Sequence, residues 1–203
     1  DMVGYANSQG MQVAVHAIGD GILDDVLAAY ETALAQNPRE DHRHGIVHCQ
    51  ITRPDQLEQF GRLSLHAYIQ SIFLDYDIHI VEERIGKERA ASSYHFRTLY
   101  EITRTSNGSD CPVELPDVMK GIQCAVTRTT VSDHTGPYLP EQALDIKQAL
   151  DSYTAEGAWA SFEERVKGRI APGMLADFVI LGANPFETAP EELACIPVEA
   201  TYV

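Results

Sequence analysis

Two four-residue runs with one pattern, VAVH at residues 13–16 and GIVH at residues 45–48, decide the fold of this 203-residue chain. Each run is short, mostly apolar and rich in β-branched residues, which is typical of a parallel strand covered on both faces. Each is followed by a turn and then by apolar residues at helical spacing, the second helix beginning near Pro54. This alternation of strand and helix predicts βα units, and therefore an α/β fold with a parallel sheet.

Further elements extend this pattern. The first strand is expected over residues 11–16, a third over residues 63–69 and a fourth over residues 104–107. The fourth is polar and is placed in the sheet because it delivers a Gly-Ser-Asp sequence at its end. Beyond the sheet, the sequence predicts a helix capped by Asp145 and a last strand over residues 177–181.

The charge balance limits the class of partner. Lys and Arg number 15 against 30 Asp and Glu, so the formal net charge is -15 at pH 7. Because an acidic surface repels phosphate backbones and anionic lipids, no nucleic acid and no membrane surface is expected as a partner. No apolar run approaches the ~20 residues of a membrane span, and the first residues do not resemble a signal peptide. A cytoplasmic location is therefore expected.

Cysteine spacing points away from a disulfide framework. Cys49, Cys111, Cys124 and Cys195 are far apart and form no CxxC pair, so reduced thiols in apolar surroundings are expected rather than a zinc knuckle. Cys111 in particular is expected to serve packing, because no general base adjoins it in sequence.

Three polar residues are expected where predicted strands end, and their spacing is informative. His16 and His48 are one βα unit apart, and Asp110 follows about two units later. In parallel α/β folds the carboxyl ends of the strands hold the active site, so all three would reach one face. Two imidazoles and a carboxylate suit Zn²⁺, Fe²⁺ or Mn²⁺. On spacing alone, the alternative that they are unrelated strand-end residues is equally good.

Nearby residues have structural interpretations. Asp20 is expected to cap the helix that begins at Gly21. His42 and His44 have the spacing of a metal-binding His-x-His pair, but they precede the second strand and are interpreted as structural.

Four motifs together resemble the metal-dependent amidohydrolase superfamily, in particular its amidohydrolase-3 (YtcJ-like) branch. They are VAVHAIGD at 13–20, RHGIVHCQ at 43–50, GSDCPV at 108–113 and KGRIAPGMLADFVIL at 167–181. The resemblance covers essentially the whole chain. It implies the C-terminal half of a TIM-like (β/α)8 barrel, strands five to eight, plus the C-terminal strands of a small β-sandwich. The implied domains are residues 1–165 and residues 166–203.

The resemblance also implies roles for the strand-end residues. His16 and His48 correspond to metal ligands on barrel strands five and six, and Asp110 to a strand-eight ligand that also shuttles the catalytic proton. The implied cofactor is a divalent metal ion, Zn²⁺ in the first place, with one or two ions in the complete protein. The family's strand-one His-x-His pair and its strand-four bridging group have no counterpart in this chain.

Four residues are candidates for substrate binding. Asp75 and His79 occupy the region where the family lines its substrate pocket, and Arg128 and His134 lie in a loop that could meet a substrate carboxylate. Ordinary surface polar residues would give the same pattern.

The expected function is metal-dependent hydrolysis of a non-peptide carbon–nitrogen bond in a small-molecule amide. The alternative is an incomplete, non-catalytic or regulatory relative, of the kind called exoenzyme regulatory proteins. A complete (β/α)8 barrel takes about 250 residues, so this chain by itself is expected to be an inactive C-terminal fragment. Its expected partner is the missing N-terminal half of the barrel or, in a homo-oligomer, a second copy.

Overall fold

The computed structural model describes residues 2–203 and has a mixed α/β fold with a parallel sheet. Three short 3₁₀ helices accompany the regular elements, at Ser71–Phe73, Pro140–Gln142 and Pro190–Cys195. The helices and strands in chain order are α1 (Met2–Ser8), β1 (Ala14–Ala17), α2 (Asp20–Gln36), β2 (Gly45–His48), α3 (Pro54–Arg62), β3 (His66–Ile69), α4 (Leu74–Asp77), α5 (Val81–Ile85), α6 (Lys87–Ala90), α7 (Phe96–Ile102), β4 (Thr105–Asn107), α8 (Val118–Thr127), α9 (Ile146–Tyr153), α10 (Ala155–Ala160), β5 (Phe178–Leu181) and β6 (Val198–Tyr202).

The strands form two sheets. The larger has the order β1-β2-β3-β4, and β5 pairs with β6 in an antiparallel sheet of two strands. Ala14 lies opposite Gly45, and Gly45 lies opposite His66, so the first three parallel strands start level with one another. Strands of similar length that start level also end at one edge, where ligands gather in α/β folds. The predicted parallel sheet is confirmed, and β2 has the predicted limits.

Two strands are shorter than the sequence predicts, and each has a local cause. β1 begins at Ala14 rather than at residue 11, and the N–H of the preceding Val13 donates to the imidazole Nδ1 of His44 at 3.1 Å. β3 begins at His66 rather than at residue 63, because Leu63 still closes α3 and Ser64 has a left-handed backbone with φ 51. A residue in that conformation cannot continue a strand.

The chain divides into two compact units. Unit 1 comprises the residues up to Ile69 together with Glu88–Thr105, and unit 2 comprises Gln70–Lys87 and Ser106–Val203. The domain boundary predicted at residue 165 stays a prediction. Among the described residues, no helix is both long enough and apolar enough to cross a membrane.

In unit 1, α2 covers the sheet with one apolar face. Leu23, Leu27 and Tyr30 are buried and recur every three or four residues, as an amphipathic helix requires. The Tyr30 hydroxyl lies 3.0 Å from the carbonyl oxygen of Val13 and 2.7 Å from that of Gly45. One side chain of α2 therefore links the helix to the starts of both β1 and β2.

In unit 2, a side-chain cap begins α9, and α9 packs closely against α8. The Asp145 carboxylate accepts the backbone N–H of Gln148 at 2.7 Å, which confirms the predicted cap of α9. Gly121 of α8 lies against Tyr153 of α9, and a Cβ at this position would be 2.0 Å from the Tyr153 hydroxyl. Only glycine allows the two helices to approach this closely.

Candidate metal centre

Two histidines meet at the carboxyl ends of β1 and β2. His16 is the last residue but one of β1, and His48 ends β2 opposite Ala17. The Nδ1 atom of His16 and the Nε2 atom of His48 are 3.0 Å apart, with the ring centroids 4.4 Å apart and the ring planes at 78°. His16 is exposed, whereas His48 is buried. The pair thus consists of the enclosed imidazole of His48 and the solvent-accessible imidazole of His16.

The spacing of the two nitrogens fits a shared metal ion. With Zn–N bonds of about 2.0–2.1 Å, two nitrogens of a tetrahedral site lie about 3.3 Å apart, close to the observed 3.0 Å. Within residues 2–203, no group of three or more His, Cys, Asp or Glu side chains is placed to hold a metal ion. The His16–His48 pair therefore supplies two nitrogen donors of the right kind and spacing, and a stable site needs further ligands.

The backbone turns sharply at the second histidine. His48 and the next residue, Cys49, both have left-handed φ values, 81 and 50. Each such residue costs about 1–3 kcal/mol and persists only where surrounding contacts hold it. Cys49 is buried, and its thiol donates to the carbonyl of Ile46 at 3.1 Å. Burial raises the pKa of this thiol, and the thiol is hydrogen-bonded to the backbone of β2.

Asp110, the third predicted ligand, follows β4 and lies in unit 2. Its side chain is exposed, its backbone is left-handed with φ 55, and its carbonyl accepts the N–H of Val113 at 2.9 Å. Since His16 and His48 belong to unit 1, the three-residue site stays a prediction.

The expectation for the cysteines is half wrong. All four are free thiols, but only Cys49 and Cys124 are buried, whereas Cys111 and Cys195 are exposed. The packing role predicted for Cys111 is therefore incorrect, because its loop keeps it at the surface. In the sequence, Cys111 lies outside any predicted helix or strand whose apolar face could enclose it.

The four candidate substrate residues lie in unit 2, and two of them contact the same loop. The Asp75 carboxylate accepts the backbone N–H groups of Val131 and Ser132 at 2.7 and 2.9 Å. The Nε2 atom of His79 lies 3.4 Å from a carboxylate oxygen of Asp133. Residues 75–79 are thus anchored to the loop after α8.

Arg128 and His134 both belong to that loop. Arg128 ends α8 in a left-handed conformation and is fully buried, with its Nε donating to the carbonyl of Tyr138 at 2.8 Å. His134 is exposed. The structure thus places Arg128 inside the loop and His134 on its surface, and the binding roles of both residues stay predictions.

Sequence reasoning missed Asp133, which organises this loop. Its carboxylate accepts the hydroxyl of Thr130 at 2.6 Å and the N–H of Thr135 at 3.1 Å. These hydrogen bonds, together with His79, hold the pKa of Asp133 at about 2. The Thr-x-x-Asp spacing was a usable local signal, whereas the His79 contact bridges a long stretch of chain and has none.

The capping role predicted for Asp20, which lies near the candidate centre, is wrong. It is the first residue of α2 rather than its cap, and the N-cap position is taken by Gly19, which makes no side-chain capping bond. The Asp20 carboxylate instead pairs with Arg89. The cause is that α2 begins one residue earlier than the sequence suggests, so that the carboxylate points to a distant segment.

A parallel α/β sheet with paired histidines at its carboxyl edge defines the class as an α/β protein with a candidate metal centre. The chain belongs to the Amidohydrolase family, whose model matches residues 1–203. The predicted resemblance to the amidohydrolase-3 branch is confirmed.

Individual relatives agree with this assignment. Putative amidohydrolase YtcJ of Bacillus subtilis (strain 168) is 32% identical over 204 residues, covering 100% of this chain and 38% of that protein. Protein LONG AFTER FAR-RED 3 of Arabidopsis thaliana is 36% identical over 201 residues, covering 98% of this chain and 34% of that protein. An uncharacterized metal-dependent hydrolase from Pyrococcus horikoshii ot3 is similar in structure, with a TM-score of 0.79 and 33% identity over 91% of this chain and 36% of that chain. The chain thus spans little more than a third of the length of these relatives.

Proposed function

We propose that the protein hydrolyses a carbon–nitrogen bond, other than a peptide bond, in a small-molecule amide, and that it uses a divalent metal ion, Zn²⁺ in the first place. The observation that carries this proposal is the 3.0 Å approach of His16 Nδ1 and His48 Nε2 at the carboxyl edge of the sheet. Membership of the Amidohydrolase family and similarity to a metal-dependent hydrolase support the reaction class.

The proposed mechanism assigns a task to each candidate residue. His16 and His48 would hold the metal ion through their facing nitrogens, with Asp110 as the third ligand. When bound, the ion activates water and polarises the carbonyl group of the substrate. A carboxylate oxygen of Asp110 takes the proton of the attacking water and returns it to the leaving nitrogen. The complete protein holds one or two ions.

Substrate contacts are proposed for the second unit. Asp75, His79, Arg128 and His134 would line the substrate side of the site. The support is that Asp75 and His79 contact the loop that carries the other two residues. This loop is built around the buried Arg128, so it has a defined conformation in which to meet a ligand.

We also propose that the larger sheet corresponds to strands five to eight of a (β/α)8 barrel, with residues 1–165 in the barrel and residues 166–203 in a β-sandwich. β1 is an edge strand, and its Ala14 and His16 are exposed, so an edge is available for pairing. The proposed occupant is the other half of the barrel in a longer, cytoplasmic polypeptide. A homo-oligomer in light scattering, with pairing through β1, would instead identify a second copy as the occupant.

The alternative of a non-catalytic, regulatory relative is not favoured. The close approach of His16 and His48 at the carboxyl edge of the sheet, where α/β enzymes bind their ligands, supports the catalytic proposal instead. The family description also names a hydrolase.

Metal analysis of the purified chain tests the proposal directly. We expect stoichiometric zinc in the wild-type chain and its loss in His16→Ala and His48→Ala, with Asp110→Ala weakening retention. His42→Gln is the matched control, because it removes an imidazole from the same unit at the opposite strand end. Hydrolysis is then assayed with N-formyl and N-acetyl amines against dipeptides. A correctly folded wild-type chain without stoichiometric zinc would overturn the proposal for this chain, though not for a longer protein that contains it.

A further inference from the structure

The direction of the His48 side chain depends on an unusual backbone corner. His48 and Cys49 both adopt left-handed φ values, which residues with a Cβ avoid unless other contacts hold them. The corner comes directly at the end of β2, where the sheet ladder no longer constrains the chain. Contacts from outside β2 must therefore stabilise the His48–Cys49 corner.

The backbone that follows this corner is paired with a distant segment, residues 92–95. Tyr94 donates its N–H to the carbonyl of Gln50 at 2.8 Å, and Thr52 donates its N–H to the carbonyl of Ser92 at 2.9 Å. These hydrogen bonds flank an antiparallel β-bridge between Ile51 and Ser93. The 92–95 segment thus acts as a short strand laid against residues 50–52.

Side chains reinforce the same pairing. The Gln50 amide donates to the Tyr94 hydroxyl, and the Thr52 hydroxyl is hydrogen-bonded to the Nδ1 atom of His95 at 2.8 Å. Thr52 is fully buried, and Tyr94 is 2% exposed. These contacts are shielded from water, so they persist rather than exchange with solvent.

The other edge of residues 50–52 reaches the first ligand strand. The N–H of Ile51 donates to the carbonyl of Ile18 at 3.0 Å, two residues after His16. Residues 50–52 are consequently held on one side by the loop after β1 and on the other by the 92–95 segment. Both histidine-bearing strand ends are tied into one hydrogen-bonded unit.

We propose that Tyr94 and His95, acting through Gln50 and Thr52, are positioning residues that hold the His48–Cys49 corner and so keep the His48 imidazole directed at His16. The use of this device for metal binding rests on the proposed function, whereas the orientation of His48 does not.

The orientation is tested in the full 203-residue chain without metal, by NMR of ¹⁵N-labelled histidine side chains. The Nε2 resonance of His48 should carry the signature of its hydrogen bond to His16. Thr52→Val and Tyr94→Phe should each shift or broaden this resonance, and Thr52→Ser, which retains the hydroxyl, should restore it. Thr103→Val is the matched control, because this hydroxyl bonds to the carbonyl of Leu65 in the same unit but far from the corner.

The outcomes separate positioning from simple stabilisation. A purely structural role for Thr52 would lower the melting temperature, as Thr103→Val should, and would leave the His48 resonance unchanged. That result in both Thr52→Val and Tyr94→Phe would overturn the inference. If either variant fails to fold, the other still decides the question.

Zinc titration of the same variants connects the inference to function. Residues that orient a ligand typically contribute ten- to a hundredfold to metal affinity, so we expect zinc to bind about tenfold more weakly to Thr52→Val and unchanged to Thr103→Val. A wild-type chain that binds no zinc would overturn the proposed function, while the His48 resonance would still decide the positioning role. Equal zinc affinity in wild type and Thr52→Val would contradict the use of this positioning for metal binding.

Discussion

The two ends of the same sheet both carry histidines and use them in opposite ways. At the carboxyl end, His16 and His48 bring two ring nitrogens within 3.0 Å, and one of the rings is exposed. At the amino end, His42, His44 and His66 are all buried. One residue type therefore serves a candidate site at one end and the core at the other.

At the amino end, the rings of His42 and His44 form hydrogen bonds with the surrounding backbone. The N–H of His44 donates to the Nδ1 atom of His42 at 2.9 Å, and the N–H of Val13 donates to the Nδ1 atom of His44 at 3.1 Å. Burial lowers the pKa of His42, lowers that of His44 to about 4 and lowers that of His66 to about 3. These three rings are neutral at physiological pH, and those of His42 and His44 act as hydrogen-bonding core residues.

Strand polarity and enclosure, rather than histidine spacing, thus distinguish the candidate ligands from the core histidines. His42 and His44 have the His-x-His spacing, yet their ring nitrogens are engaged inside unit 1. Their structural interpretation from the sequence is confirmed.

The largest expected effect is a loss of stability in mild acid. The folded pKa of His44, about 4, lies below its unfolded value of 6.5, so the unfolded chain binds more protons between these pH values. The free energy of unfolding is therefore full above pH 6.5 and falls as the pH drops toward 4, by about 3 kcal/mol from this residue. Urea unfolding at pH 7, 6 and 5 measures the part of this loss that falls above pH 5, about 2 kcal/mol.

The control for this prediction is His44→Gln, which cannot titrate and should make the pH dependence shallower, the remainder coming from His42 and His66. The window above pH 5 limits the contribution of carboxylates, which titrate mainly below it. A wild-type free energy of unfolding that stays constant between pH 7 and pH 5 would show that these rings are not buried neutral groups.

The next effect contrasts one histidine from each end. His44→Ala removes a fully buried ring and its bonds to Val13 and Asn7, so we expect a loss of about 2 kcal/mol in the free energy of unfolding. His16→Ala should change it by less than about 0.5 kcal/mol, because that ring is exposed. Urea unfolding of metal-free protein at pH 7 compares them. Equal losses of unfolding free energy in His44→Ala and His16→Ala would show that the two ends of the sheet do not differ in enclosure.

A smaller effect is expected at the Tyr30 hydroxyl, which joins the starts of β1 and β2. Tyr30→Phe leaves two strand carbonyls with one hydrogen-bond donor fewer, and we expect a loss of about 1 kcal/mol. Thermal unfolding is the measurement. Tyr5→Phe, at a position 69% exposed, is the control and should have no effect. An unchanged melting temperature in Tyr30→Phe would mean that packing alone stabilises the starts of β1 and β2.

The smallest effect is expected for the Asp20–Arg89 ion pair beside the candidate centre. Arg89 is half-exposed, so Asp20→Asn should lower the free energy of unfolding by less than about 1 kcal/mol. A double-mutant cycle with Arg89→Gln at low and high salt isolates the interaction. A coupling that survives 1 M salt undiminished would indicate that the carboxyl end is as enclosed as the amino end.

Much of the larger sheet could be predicted because its signals are local. The GIVH run specifies β2 from end to end, and the one-unit spacing of His16 and His48 correctly predicted that they would meet. Their role as metal ligands stays a prediction, as does that of Asp110. The early start of α2 and the exposure of Cys111 escaped prediction because they depend on backbone conformation and loop placement.

The positioning contacts had no signal in the sequence. Gln50 and Tyr94 are separated by 44 positions, and Thr52 and His95 by 43. No periodicity or short motif links such pairs, since they become neighbours only when residues 92–95 fold back onto the end of β2.

The amino-acid sequence by itself determined the βα alternation, the strand that carries each histidine and the family of the protein, because hydrophobic period and short motifs are local properties. Only the tertiary structure decided which histidines are enclosed and neutral, and which hydrogen bonds hold the His48–Cys49 corner. Burial and long-range pairing arise when distant segments exclude water together, and that cannot be read from one segment alone.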